Sequence, residues 1–101
     1  MSARVHLDRD RLAAICRNYH VHRLAVFGSA LRDDFRPDSD VDLLIEFDSG
    51  YRPGLIGLHE LEQELSAAFR GHRIDMVNPR YLNRRIRERV LNEAEVQFAE
   101  G

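Results

Sequence analysis

The sequence contains no lysine, and this absence excludes two kinds of chemistry. All 15 of its basic residues are arginines. Schiff-base catalysis requires a lysine amine, and a Walker A phosphate-binding loop also requires a lysine. Neither is available to this chain.

The sequence also has only one cysteine, no long apolar run and nearly equal numbers of basic and acidic residues, 15 and 17. Cys16 is the only cysteine, so no disulfide can form within the chain. No apolar run approaches the ~20 residues of a membrane-spanning helix, and no secretory signal is visible at the start. The net charge is −2, whereas nucleic-acid-binding proteins are normally strongly basic. We therefore expect a cytoplasmic protein with neither a membrane nor a nucleic-acid partner.

The composition that remains is that of a small globular domain. The chain has 101 residues, of which 44% are apolar and 32% charged. Folding at this length buries roughly 65% of the unfolded surface. No repeat or linker divides the sequence, so residues 1–101 are predicted to form a single domain.

Helix and strand patterns alternate along the chain and predict an α/β (α+β) fold. Short strands are predicted at 23–27, 41–47 and 73–77, and together they form a mixed sheet of about three strands flanked by helices. The predicted order is α-β-α-β-α-β-α.

The helices are predicted from apolar spacing and capping residues. The first spans 7–19 with Asp8 as N-cap, a helical turn lies at 30–35, and a third helix spans 55–69 and ends at Gly71. The last begins at Asn78-Pro79 and has as its apolar face Leu82, Ile86, Val90 and Ala94. Cys16 is expected in the core.

Gly28 and Ser29 follow the first predicted strand. Glycine permits a close backbone approach, and backbone amides at such a junction can face an anion, with the Ser29 hydroxyl as a further donor. A Gly-Ser pair at the end of a strand is also an ordinary turn, so the pair alone does not establish a phosphate site.

Three aspartates fall on the predicted strands. Asp40 and Asp42 stand two residues apart, which on a strand means one shared face and a separation of ~6.7 Å. Carboxylates so placed can flank divalent ions ~3.5–4 Å apart. Asp75 joins them if its strand lies beside theirs, and three like charges on one face repel unless cations lie between them. An exposed acidic face is the alternative interpretation.

These residues together resemble a known signature. Gly28-Ser29, ten further residues and then Asp40-Val41-Asp42 match the pattern of the DNA polymerase beta-like nucleotidyltransferase superfamily. The stretch 27–44 is similar to the minimal nucleotidyltransferases of prokaryotes, and Asp75 stands where that family places its third carboxylate. The likeness covers about residues 24–94.

The resemblance implies a palm-like core that binds a nucleoside triphosphate. Gly28 and Ser29 would cradle the β- and γ-phosphates of ATP, and Arg32 would neutralise phosphate charge unless it is only a solvated arginine. Asp75 would help to activate an acceptor hydroxyl, which attacks the α-phosphorus as pyrophosphate leaves. Two Mg²⁺ ions, or Mn²⁺ in their place, would be held by the catalytic carboxylates of Asp40, Asp42 and Asp75.

The acceptor is expected to be a separate molecule, because nothing remains outside the core to bind one. Minimal nucleotidyltransferases act with HEPN-domain ribonuclease toxins, as antitoxins that adenylylate a toxin tyrosine. The resemblance implies the same function here, within a homo- or hetero-oligomer.

Two alternatives stay open. An antitoxin could neutralise the toxin by occlusion alone, with Leu55, Ile56 and the end of the last helix, at Val96 and Phe98, as its apolar contact surface. A transferase could instead modify a small molecule such as an aminoglycoside. The five histidines lack metal-ligand spacing, and 20–22 is interpreted as a surface turn. The arginines of 80–89 are interpreted as a solvated helix face.

Overall fold

The computed structural model describes residues 8–28, 36, 38–79 and 82–100. Within these ranges the elements are α1 (Arg9–Asn18), β1 (Val21–Phe27), β2 (Val41–Phe47), α2 (Leu55–Ala68), β3 (Ile74–Val77), α3 (Arg84–Glu93) and β4 (Glu95–Ala99). The predicted α/β class is confirmed, although four strands form where about three were expected. The helical turn predicted at 30–35 lies outside the described residues. None of the described helices is long and apolar enough to span a membrane.

The four strands form one mixed sheet in the order β3-β2-β1-β4. β1 is antiparallel to both β2 and β4, whereas β3 runs parallel to β2. Parallel neighbours cannot be joined by a hairpin, and α2 provides the crossover between β2 and β3. This connection places the N-terminal ends of β2 and β3 side by side, next to the C-terminal end of β1.

One face of the sheet packs against α1 and α2 and forms the core. Alternate residues of β2 point into it, among them Val41, Leu43 and Ile45, as their apolar spacing predicts. Ala25 and Leu44 are register partners that are also buried, but they are not part of this cluster. Successive side chains of a strand point to opposite faces of the sheet, so Ala25 and Leu44 lie on the face away from this core.

The first helix forms as the sequence predicts. Asp8 is its N-cap, and its side chain accepts a hydrogen bond of 3.1 Å from the Arg11 amide. Cys16 lies on the inner side and is fully buried, and this burial raises the pKa of its thiol to about 12. At the end of α1 the Tyr19 hydroxyl donates a hydrogen bond to Glu64 of α2, and this bond is the main cause that raises the pKa of Tyr19 to about 12.

The C-terminus of α2 differs from its prediction by one residue. Phe69 is the C-cap, and Arg70, not Gly71, is the first residue in the left-handed region, with φ of 59°. The Gly71 amide donates to the Ser66 carbonyl at 2.7 Å and the Arg70 amide to the Ala67 carbonyl at 3.3 Å. These two bonds form a Schellman motif, which satisfies the last carbonyls of the helix.

The structure differs most from the sequence prediction in the last third of the chain. Asn83, not Asn78, caps the final helix, and its side chain accepts from the Ile86 amide at 3.1 Å. The helix ends at Glu93 and buries none of its residues, so the predicted apolar face is not a core face. Val96 and Phe98 lie on β4, where pairing with β1 buries Phe98 and leaves Val96 45% exposed. His22 likewise belongs to β1 and not to a turn.

The packing of α2 predicts a large difference between two leucines of this helix. Leu65 is fully buried in the core cluster, whereas Leu55 in the first turn is 87% exposed. Leu65→Ala should lower the free energy of unfolding by about 3 kcal/mol, because it removes buried methyl groups and leaves a cavity. Leu55→Ala is the matched control and should change it by less than about 0.5 kcal/mol. Urea denaturation of both variants measures the difference, and equal effects would contradict this packing.

Candidate active site

Asp42 and Asp75 are direct neighbours on the sheet. They are register partners in the parallel pair β2–β3, one residue after the buried partners Val41 and Ile74. Adjacent strands lie ~4.8 Å apart, so the two carboxylates leave the same face of the sheet side by side. Asp42 is half-buried and Asp75 exposed. β3 therefore lies beside β2, as the predicted role of Asp75 requires.

Asp40 stands immediately before β2, two residues ahead of Asp42, and the residues on both sides of it form hydrogen bonds with the segment before β3. The Val41 amide donates to the Arg73 carbonyl at 2.8 Å and begins the pairing of β2 with β3. Before it, the Ser39 carbonyl contacts Nδ1 of His72 at 2.8 Å, and this contact requires a proton on Nδ1. The segment around Asp40 is therefore joined to the loop that precedes β3.

Gly28 lies against the Asp42 carboxylate and has room for no side chain. It follows β1 directly, where Phe27 is the register partner of Asp42. Its φ is +72°, in the left-handed region that favours glycine, and a Cβ atom at this position would clash with Oδ2 of Asp42 and lie 3.3 Å from its Cγ. The backbone of the predicted phosphate loop and one predicted metal ligand are therefore in contact.

The carboxylates are better suited to a metal ion that a bound substrate also coordinates than to an ion held by protein side chains alone. Among the described residues, no three side chains of histidine, cysteine, aspartate or glutamate are gathered closely enough to hold an ion by themselves. Mg²⁺ is usually bound through one or two carboxylates together with substrate phosphates and water. The pair Asp42–Asp75, with Asp40 beside it, is a donor set of that kind.

Two of the predicted binding residues, Ser29 and Arg32, lie outside the described residues. The structure brings Gly28, Asp40, Asp42 and Asp75 to one end of the sheet. That end is formed by the C-terminus of β1 and the N-termini of β2 and β3.

A cavity of about 460 Å³ beside Asp40 was missed by the sequence prediction. It lies between α2 and the segments that precede β2 and β3, and its lining includes Asp38, Glu62, His72 and Arg73. His72 carries no motif, and its contact with Ser39 joins residues 33 positions apart in the sequence. No local pattern could have indicated it.

The fold is that of a nucleotidyltransferase core. Residues 9–96 match the nucleotidyltransferase domain family, and the chain belongs to that family. This match extends over all the described elements up to the first residues of β4.

Two relatives are similar over most of their length. A protein of Methanocaldococcus jannaschii, provisionally assigned as a protein adenylyltransferase, is 31% identical over 86 residues, which are 85% of this chain and 89% of the relative. The protein adenylyltransferase MntA of Thermococcus cleftensis is 39% identical over 75 residues, or 74% of this chain and 73% of the relative.

Solved structures share the fold. One, provisionally described as a minimal nucleotidyltransferase, superposes with a TM-score of 0.68 at 38% identity and covers 85% of both chains. A chain from a toxin–antitoxin complex with AMP-PNP gives 0.69 at 19% identity, over 93% of this chain and 75% of that one. A chain from the complex of a tri-AMPylated Shewanella oneidensis HEPN toxin with its MNT antitoxin gives 0.61 at 18% identity, over 91% and 70%.

The contact between Gly28 and Asp42 predicts an unequal effect of alanine at two glycines. Gly28 and Gly50 both have positive φ, but nothing lies within 4 Å of a Cβ atom at Gly50. Gly50→Ala should lower the free energy of unfolding by about 1–2 kcal/mol, the cost of a left-handed non-glycine residue. Gly28→Ala adds the clash with Asp42 and should cost at least about 1 kcal/mol more. Denaturant titrations of the two variants test this, and equal losses would show that the contact is absent.

Proposed function

We propose that this chain is a metal-dependent nucleotidyltransferase that transfers AMP from ATP to a tyrosine of a partner HEPN-type ribonuclease toxin and thereby acts as its antitoxin. The observation that carries the proposal is the pairing of Asp42 with Asp75 at the end of the sheet where Gly28 touches Asp42. Residues 1–101 act as one nucleotidyltransferase domain in this proposal. A cytoplasmic location stays a prediction.

The placement of Gly28, Asp40, Asp42 and Asp75 at one end of the sheet supports the catalytic assignments that the resemblance implies. Gly28 brings the backbone after β1 close to Asp42, and with Ser29 it would cradle the β- and γ-phosphates; Arg32 would neutralise their charge. Two bound Mg²⁺ ions, or Mn²⁺, would offset the triphosphate charge and stabilise the attacking and leaving oxygens. The residues that would hold them are Asp40, Asp42 and Asp75.

The chain's own groups orient the transfer. The acceptor oxygen forms a bond to the α-phosphorus, the bond from that phosphorus to the bridging oxygen breaks, and pyrophosphate leaves with the electron pair. Asp75 is exposed on the outer of the two strands, where an incoming hydroxyl can reach it. Its carboxylate would accept the proton that the hydroxyl loses.

The relatives support a protein as the acceptor. Both curated relatives carry a protein adenylyltransferase assignment, and each covers more than 70% of this chain. Chains that share this fold come from complexes with HEPN toxins. Leu55 and Ile56, which are 87% and 78% exposed at the start of α2, offer an apolar contact for a partner. Phe98 is 8% exposed and is not part of such a contact.

The decisive experiment follows label from [α-³²P]ATP into the HEPN-type protein encoded by the neighbouring gene. Wild-type protein with Mg²⁺ should label it, and EDTA should abolish the label. Asp42→Asn and Asp75→Asn each remove one anionic ligand with almost no change in shape, and each should slow transfer by at least about 100-fold. Asp48→Asn is the control, because Asp48 lies at the opposite end of β2, near His20 and His22. Its transfer rate should stay at the wild-type level.

The same experiment separates the alternatives. A tight complex that silences the toxin without label, and that survives Asp42→Asn, would replace the proposal with an antitoxin that acts by occlusion. Label on an aminoglycoside but not on the protein would replace it with a small-molecule transferase. Equal loss of transfer in Asp48→Asn would show that the carboxylate pair has no special role.

A further inference from the structure

Asp40 differs from the other two candidate carboxylates because it lies outside the strands. Asp42 and Asp75 are fixed by the pairing of β2 with β3. Asp40 is exposed and precedes β2, so this pairing begins only after it. Because like charges repel one another, Asp40 needs restraints of another kind if it is to stay near the other two carboxylates.

The peptide groups on both sides of Asp40 are bonded to consecutive residues of the loop before β3. The Ser39 carbonyl belongs to the peptide group before Asp40 and accepts from Nδ1 of His72 at 2.8 Å. The Val41 amide belongs to the peptide group after Asp40 and donates to the Arg73 carbonyl at 2.8 Å. Because peptide groups are planar, these two bonds restrict backbone rotation on both sides of the Asp40 Cα atom. The direction of the Asp40 side chain therefore depends on them.

His72 provides the only side chain in these two bonds, and it is itself held by α2. Its ring is half-buried, and its carbonyl accepts from the Ser66 hydroxyl at 2.7 Å. Ser39, on the other side of the contact, closes a turn with Arg36. Its amide donates to the Arg36 carbonyl at 3.0 Å, and its Oγ accepts from the Arg36 amide at 3.0 Å. The His72 ring thus joins this turn to α2.

The same loop leads directly into the strand that carries Asp75. His72 and Arg73 immediately precede β3, and Asp75 is the second residue of that strand. One short segment therefore carries Asp75 and also holds the backbone around Asp40. His72 is not a member of the core cluster, so its ring is not required for the packing of the strands.

We propose that His72 is a positioning residue, which acts through the Ser39 carbonyl to hold the Asp40 carboxylate in the orientation that binds Mg²⁺. The inference rests on the proposed function and adds to it a residue that lies outside the nucleotidyltransferase signature. Outer residues that orient the ligands of a metal affect its affinity strongly. The role requires only an N–H group at the place of Nδ1, so a different side chain that offers one should replace His72.

Two substitutions of His72 separate this contact from the ring as a whole. The amide nitrogen of asparagine, like Nδ1 of histidine, is bonded to Cγ, whereas that of glutamine lies one bond farther out. His72→Asn should therefore bind Mn²⁺ within about twofold of the wild type, and His72→Gln should bind it at least about tenfold more weakly. Electron paramagnetic resonance of free Mn²⁺ measures both, with α,β-methylene-ATP as a nucleotide that cannot release pyrophosphate. His59→Gln, at an exposed position of α2, is the matched control and should bind as the wild type does.

The transfer assay should divide the variants in the same way. The Mg²⁺ concentration for half-maximal transfer should rise at least about tenfold in His72→Gln and stay within about twofold in His72→Asn. The KM for the HEPN-type acceptor, measured at saturating Mg²⁺, should be the same in both, because His72 does not touch the acceptor. A general loss of structure would not be rescued by asparagine in this way.

A second variant covers the case in which His72→Gln fails to fold, which circular dichroism would reveal. His72→Leu fills much of the space of the ring but has no donor for the Ser39 carbonyl. It should weaken Mn²⁺ binding as His72→Gln does, at least about tenfold. Wild-type Mn²⁺ affinity in folded His72→Leu would overturn the inference.

The remaining outcomes separate this inference from the proposed function. Equal Mn²⁺ affinity in folded His72→Asn and His72→Gln would overturn the positioning role, whether both match the wild type or both are weakened. A wild type that binds Mn²⁺ with the ATP analogue but transfers no AMP would contradict the proposed function, and the Mn²⁺ titrations would still decide the role of His72. A wild type that binds no Mn²⁺ would remove both.

Discussion

Val41 and Ile74 are buried register partners on β2 and β3, and the next residue of each strand is an aspartate. Because successive side chains of a strand point to opposite faces, burial of the first pair turns Asp42 and Asp75 together to the other face. A slip of one residue would bring an aspartate into the apolar core, where an unpaired charge is very costly. Hydrophobic packing therefore fixes the register, and the register fixes the carboxylate pair.

The crossover helix makes this pairing possible. α2 covers the core face with Leu61, Leu65 and Ala68 and returns the chain to the same end of the sheet from which β2 began. The Schellman motif stops the helix at the point where the chain must turn into β3. The bonds from Ser66 to His72 and from His72 to Ser39 then join the helix to the loop before β2. Packing on one face therefore holds like charges close together on the other face, in spite of their mutual repulsion.

The elements with a strong local signal could be predicted from the sequence. α1 has a capping aspartate and apolar residues at helical spacing, and β2 has an apolar residue at every second position from Val41 to Phe47. The end of the chain could not be predicted in the same way. Asn78 and Asn83 are both acceptable caps, and the structure selects Asn83. Val96 and Phe98 alternate with polar residues, but so short a run becomes a strand only because the edge of β1 is available to pair with it.

The residues of the candidate site divide in the same way into those that the sequence could predict and those that it could not. Gly28, Asp40, Asp42 and Asp75 could be singled out from the sequence, because aspartate is disfavoured in strands and because the spacing of Gly28, Asp40 and Asp42 matches the nucleotidyltransferase signature. The cavity lined by Glu62 and His72 could not, because its walls come from three separate segments.

The sequence by itself determined which residues can carry the chemistry, since charge, side-chain size and backbone freedom belong to each residue alone. Only the tertiary structure decided that Asp42 lies beside Asp75, that Gly28 touches Asp42, and that an acidic cavity opens next to Asp40. Each of these contacts joins residues that are far apart along the chain. Their formation depends on strand order and register, which the packing of the whole core selects.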